Sequence, residues 1–240
     1  MIVDTSQGFT YDDVILVPQY SEIASRSNIS TKTVIGNSAN AVELDIPIIS
    51  ANMDTVTGIS MYSAMRKVGA YGFLHRFASD EQRLMWARTG FPVTVGVGNL
   101  EKELAKSAVV LGAKHFLIDI AHGNSKHVVD MLRYIRELCP TALIVAGNIA
   151  TADAALLLAD EGADVVKIGV GPGSVCTTRT VTGHGFPQLS AIDEIAEAFD
   201  LDGYDVSIIA DGGIKSSGDI VKALAAGADA VMIGGLFAGS

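Results

Sequence analysis

The densest chemistry in the chain lies at residues 169–179, GVGPGSVCTTR. Gly169, Gly171, Pro172 and Gly173 lead from an apolar run into Cys176, and Thr177 and Thr178 follow it. A cysteine in such a loop is accessible, and backbone N–H groups can face its sulfur, which is the setting of a nucleophilic thiol. The two threonine hydroxyls could relay protons. The same residues would also make a tight turn around an inert thiol, and composition alone leaves both readings open. Cys139 precedes Pro140 at the end of a helical stretch and is expected to be structural.

A loop of this kind needs strands to hold it. Eight short apolar or β-branched runs recur along the chain: 46–54, 70–76, 92–98, 115–123, 142–150, 164–173, 206–213 and 230–235. Longer stretches with helical spacing separate them, such as DAALLLADEG at 153–162 and SGDIVKALAAG at 217–227. Three of these close on a Gly-Ala pair, Gly112-Ala113, Gly162-Ala163 and Gly227-Ala228, where a glycine can stop a helix. Eight βα units predict an α/β protein, a (β/α)8 TIM barrel, in preference to an open doubly wound sheet, whose glycine-rich loop would follow the first strand. The polar residues Asn52, Asp54, His75, Arg76, Asp119, His122, Asn148, Cys176 and Asp211 fall at or beyond the C-terminal ends of the runs, where barrels keep their chemistry. After the eighth run only LFAGS remains, so the barrel is expected to lack its last helix and to leave the seam between its first and eighth strands uncovered. The expected organisation is one domain over 1–240, with 1–40 as an N-terminal extension and 41–240 as the barrel.

Composition narrows the partners. Lys plus Arg is 17 against 27 Asp plus Glu, a formal charge of −10, which argues against a nucleic-acid binder because phosphate neutralisation needs clustered basic residues. A single nucleotide phosphate, held by backbone N–H groups, is still allowed. Two cysteines make no disulfide framework, no run approaches the length of a membrane span, and MIVDTSQGFTYDD lacks the features of a signal peptide. The expectation is a cytoplasmic protein with no membrane partner. His75, His122 and Asp119 form no metal-spacing motif, so no transition metal is expected. Trp86, in RLMWAR, is expected to pack in the core.

The chain resembles the IMP dehydrogenase and GMP reductase family. GVGPGSVCTTR resembles the family's active-site loop. In order along the chain, FTYDDVILVPQYSEIASRS, IPIISANMDTVT, IDIAHGNS, VAGNIAT, ADGGI and MIGGLFAG match as well. The resemblance implies a (β/α)8 enzyme acting at C2 of a purine mononucleotide, with Cys176 as the covalent nucleophile and Thr178 as a proton-handling partner. It places Ser174, Gly213, Gly234 and Gly235 at the phosphate, Asp211 at the ribose hydroxyls, Met53 beside the base and Asp119 on the cofactor side. For Asp211 the residues alone also allow a helix N-cap in the DGG turn. Gly171, Gly173 and Cys176 match positions whose backbone carbonyls hold a monovalent cation, K+, in the dehydrogenases. A homotetramer is implied too.

Within the family, several details resemble the reductase branch. Only residues 77–91 separate Arg76 from Pro92, which leaves no room for the regulatory CBS insertion of the dehydrogenases. Ser25-Arg26-Ser27, TGHGFPQLSA and GGLFAG also have the reductase form. The implied reaction is NADPH-dependent reductive deamination of GMP to IMP. A CBS-less dehydrogenase oxidising IMP with NAD is the alternative, and an inactive or truncated nucleotide-binding paralogue is a third. Arg76 stands where reductases carry Lys, and an arginine cannot release its proton near neutral pH. The glutamate that partners the loop threonine in reductases is expected beyond Ser240.

Overall fold

The computed structural model describes residues 7–37, 39–173 and 176–239. An antiparallel hairpin, β1 (Thr33–Ile35) and β2 (Val42–Leu44), precedes the repeats. The repeats run β3 (Ile48–Ser50), α1 (Ile59–Lys67), β4 (Tyr71–Gly72), α2 (Asp80–Arg88), β5 (Val93–Val95), α3 (Asn99–Val110), β6 (His115–Asp119) and α4 (Lys126–Leu138). They continue with β7 (Leu143–Ile149), α5 (Ala152–Asp160), β8 (Val165–Ile168), the short α6 (Thr178–Thr182), α7 (Gln188–Asp202), β9 (Ser207–Asp211), α8 (Ser217–Ala225) and β10 (Ala230–Ile233). The eight strands β3 to β10 are parallel and ordered β4-β3-β10-β9-β8-β7-β6-β5. This is a (β/α)8 barrel in which, among the described residues, turns rather than a helix follow β10.

The seam differs from the sequence expectation. The first and eighth barrel strands, β3 and β10, pair over three registered positions from Val231–Ile48 to Ile233–Ser50. The outward-facing Val231 and Ile233 are buried, and Phe237 packs against both core clusters, so β10 presents no bare apolar strip. The break in the ladder instead lies between β4 and β5. There the Thr94 hydroxyl donates to the Leu74 carbonyl, and the side chain bridges where backbone pairing stops.

The helices end as their glycines predict. At Gly162 the backbone takes φ 94°, and Ala163 N–H donates to Leu158 O five residues back at 2.9 Å, a Schellman closure. Gly112-Ala113 and Gly227-Ala228 repeat the same bond. Each closure turns the chain back into the next strand within a residue or two.

Strand alternation divides the apolar side chains into two layers. One set, including Phe116, Ile118, Ile144, Val166 and Val231, packs outward under the helices. The other, including Ile49, Tyr71, Leu117, Val145, Val165, Ile209 and Met232, fills the barrel interior together with Ile35, Val42 and Leu44 of the hairpin. The hairpin therefore stoppers one end. It is tied to the N-terminal ends of the strands by Asn40 Nδ2 donating to Thr141 O at 2.6 Å and Gly36 N–H donating to Ser207 Oγ at 3.0 Å. No helix among the described residues is long and apolar enough to cross a membrane.

Candidate active site

Toward the C-terminal strand ends the inward positions change character. Two residues beyond Leu117 on β6 stands Asp119, and two beyond Ile209 on β9 stands Asp211. Two residues beyond Val165 on β8 stands Lys167. On β7 the equivalent residue, two beyond Val145, is Gly147, where a Cβ would sit 2.6 Å from the Lys167 carbonyl oxygen and 2.7 Å from its Cβ. The glycine leaves the space through which the lysine passes.

Lys167 is only 2% exposed. Its Nζ donates to Asp211 Oδ2 at 2.7 Å and to Asp119 Oδ1 at 3.1 Å. Burial alone would pull an ammonium's pKa down, but the Asp211 and Asp119 charges outweigh it and hold the group above its ordinary value. Asn148 Nδ2 donates to the same Asp211 Oδ2 at 2.9 Å and to Gly169 O at 2.8 Å, which ties the carboxylate to the start of the cysteine loop. Arg76 Nε lies 3.9 Å from Asp119 Oδ2, and its guanidinium sits 4.8 Å over the Phe77 ring. Two cations thus face two carboxylates across one floor.

Above that floor opens a cleft of about 330 Å³. Met53, Asp119, Gly171, Cys176, Thr178 and Asp211 all line it, so residues spread over most of the sequence converge there. Cys176 is exposed, and its thiol donates to Thr178 Oγ1 at 3.3 Å. A second cavity of about 620 Å³ adjoins the cleft and shares Ala121, Asn148, Val170 and Thr178 with it. Its other walls include Ile149, Ala154 and Phe186, with His122 and His184 at the polar side.

The remaining predicted positions lie around the rim. Gly212, at φ 95°, comes so close to the cysteine loop that a Cβ there would stand 3.1 Å from Gly173 N. Gly213 rests on the Tyr11 ring, and Gly234 abuts Met53 Sδ. Gly235 is exposed in the turn after β10. None of Gly173, Gly213, Gly234 and Gly235 lines the cleft itself, and Ser174 lies outside the described residues. The N-cap reading of Asp211 is overturned: its carboxylate accepts from Lys167 and Asn148, while α8 is capped by Ser216. His75 stays off both cavities and packs edge-on against the buried Trp86.

Sequence reasoning missed two contributors. Lys167 is the only charged residue in the apolar run VVKIGV, and that was the available signal, because a lone lysine in a fully buried strand must find carboxylates. Tyr11 is 3% exposed and packs its ring against Gly213, while its carbonyl accepts from Lys222 Nζ at 2.6 Å. Burial pushes its phenol pKa up. The FTYDD segment thereby underpins the turn after β9.

Residues 8–240 match the family profile described as the IMP dehydrogenase / GMP reductase domain. The chain is 39% identical to GMP reductase 1 of Homo sapiens, over 99% of this chain and 71% of that protein. It is 40% identical to the GMP reductase of Aeromonas salmonicida, over 95% of this chain and 68% of the relative. It is 35% identical to the inosine-5'-monophosphate dehydrogenase of Borreliella burgdorferi, over 98% of this chain and 71% of the relative. That last alignment runs over 296 residues, against 248 for the human reductase, so extra residues in the dehydrogenase interrupt the match.

Proposed function

The chain belongs to the IMP dehydrogenase / GMP reductase family, and on that premise we propose that it acts as a GMP reductase, converting GMP to IMP and ammonia. The reductases match at 39% and 40% without a large interruption, and the dehydrogenase matches at 35% with one. The observation that carries the chemistry is the placement of an exposed Cys176, bonded to Thr178, over a floor holding Asp119 and Asp211.

In this reading Cys176 Sγ attacks C2 of the purine, forming a carbon–sulfur bond that divides a difficult displacement into two easier steps. The 2-amino group leaves as ammonia, taking its proton by way of the Thr178 hydroxyl, 3.3 Å from the sulfur. NADPH, when bound, supplies the hydride that C2 takes up. Cleavage of the C2–S bond then returns its electron pair to sulfur and frees IMP. GMP, NADPH and two protons give IMP, NADP and ammonium, so charge and atoms balance.

Asp211 accepts from the ribose hydroxyls, Met53 lies against the base, Gly213, Gly234 and Gly235 present backbone N–H groups to the phosphate, and Ser174 is assigned to the phosphate with them. The adjoining cavity of about 620 Å³ suits a flat nicotinamide ring, with Thr178 shared between it and the cleft that Asp119 lines. K+ would be held by the carbonyls of Gly171, Gly173 and Cys176, hard oxygen donors that suit an alkali cation. The Gly173 carbonyl accepts the Cys176 N–H at 3.0 Å and keeps a second lone pair. A reducing cytoplasm suits a free catalytic thiol.

The family resemblance implies a homotetramer, and the N-terminal arm supports association between copies. Ile15, Val17 and Tyr20 are 86%, 76% and 88% exposed in an extended stretch, an apolar surface that a second copy would cover. Light scattering that finds only monomers at micromolar concentration would contradict this. The function is tested by steady-state assay with GMP plus NADPH against IMP plus NAD. Turnover of the first pair supports the reductase, turnover of the second alone assigns a dehydrogenase, and turnover of neither assigns the inactive or truncated nucleotide-binding paralogue.

A further inference from the structure

We propose that Lys167 is a positioning residue that clamps the ribose-side Asp211 and the cofactor-side Asp119 to one buried ammonium, so that the two halves of the site are coupled through it. The inference rests on the functional reading above for what the two carboxylates contact, and on geometry for the clamp.

A lysine at 2% exposure has given up its hydration and survives as a cation only beside negative charge. Lys167 has two such partners, on different strands, at 2.7 and 3.1 Å. Its own backbone is fixed on both sides, registered against Gly147 on β7 and Ile209 on β9. The ammonium is therefore a rigid point to which both carboxylates are referred. Asp211 is held a second time by Asn148, and Asp119 faces Arg76 only at 3.9 Å. Asp119 consequently depends on Lys167 more than Asp211 does.

The clamp also uses one oxygen of each carboxylate. Lys167 bonds Asp211 Oδ2 and Asp119 Oδ1, and no hydrogen bond from the described residues reaches Asp211 Oδ1. Each acid keeps an oxygen available to a ligand while its other oxygen is pinned. Removing the ammonium would leave two like charges facing each other at the floor of a cleft. They would separate or take up a shared proton, and either change misplaces the acceptor for the ribose hydroxyls. Among the described residues, the charged or titratable groups that face this point are Arg76 beyond β4, Asp119 on β6, Asp211 on β9 and Cys176 in the loop beyond β8, and the Tyr11 phenol lies within electrostatic reach of Asp211.

The test is a double-mutant cycle on the full chain, read by calorimetric GMP binding and by thermal unfolding. Lys167→Met keeps the length of the side chain and removes its charge. It should weaken GMP binding by roughly tenfold or more, the scale of a lost charged hydrogen bond. The loss should grow as pH falls from 8 to 6, because protonation removes the acceptor, and the dependence should be steeper than in the parent. Adding Asp119→Asn to Lys167→Met should recover GMP affinity, although Asp119 lies on the cofactor side. Lys167→Arg should retain more affinity than Lys167→Met and restore the parent pH dependence. A Lys167 that only fills space predicts no rescue by Asp119→Asn and no change in pH dependence, and that result overturns the clamp. Failure of the parent chain to bind GMP overturns the functional reading instead. The cycle is then decided in the melting temperature, which Lys167→Met should lower and Asp119→Asn in that background should partly recover. Additive melting effects would overturn the clamp.

Discussion

The two ends of this barrel are built from the same strands and finished in opposite ways. At the N-terminal end the inward side chains of Leu143, Val165, Ile209 and Ala230 meet Ile35, Val42 and Leu44 from a hairpin that belongs to no βα repeat. Two residues beyond Val165 and Ile209, at Lys167 and Asp211, the interior turns polar and opens into a cleft. The apolar end is closed by packing, which is tolerant of direction but sensitive to volume. The polar end is held by a few charged hydrogen bonds with fixed distances, which suits a site that must place reacting groups. Stability and chemistry should therefore respond to different substitutions.

The largest effect tests the polar end. Cys176→Ala should lower kcat by about a thousandfold or more, as removal of a nucleophile does, while GMP binding measured by calorimetry stays near the parent value. Ordinary turnover in that variant would remove the cysteine from the mechanism. At the opposite end, Ile35→Ala should cost about 2–5 kcal/mol of stability in denaturant unfolding, since Ile35 is fully buried in the interior cluster. Its kcat per folded molecule should not change. A large loss of kcat with normal stability would mean that the stopper and the site are not separable.

Asp211→Ala should weaken GMP binding by about 1–3 kcal/mol, the range for a charged hydrogen bond. Equal affinities for variant and parent would exclude the ribose role. A smaller effect distinguishes the ends by pH. His115, whose ring bonds Tyr71 Oη at 2.6 Å, has its pKa lowered, first by burial and then by the Arg66 charge. In the window between that lowered value and the ordinary value of about 6.5, the unfolded chain binds more protons than the folded one. Stability is therefore present above about pH 6.5 and is lost as pH falls through the window. Thermal unfolding should show this slope, and His115→Gln should flatten it. An unchanged slope would place the dependence elsewhere.

Much of this was legible in the residues. Eight apolar runs, the Gly-Ala stops and the cysteine loop are local signals, and each corresponds to a strand, a Schellman closure or a loop at the expected place. The convergence of Met53, Asp119, Cys176, Thr178 and Asp211 was legible as well, because parallel strands bring their C-terminal ends to one face wherever they fall in the chain. The boundaries were less so: the run at 70–76 pairs only at Tyr71–Gly72. Periodicity marks which side chains are apolar and does not report where a ladder stops.

What sequence alone determined, then, is the repeat and the chemistry at its ends, since alternation, helix stops and a reactive loop are properties of neighbouring residues. The tertiary structure alone decided three things. It placed the gap in the sheet at β4–β5 and paired β3 with β10, an outcome of closing eight strands around one interior. It set the hairpin into that interior as a stopper. It also turned Lys167 from a charge in an apolar strand into the link between Asp119 and Asp211. Residues 119, 167 and 211 are far apart along the chain, and a charge buried among them has a meaning only once the fold has chosen its neighbours.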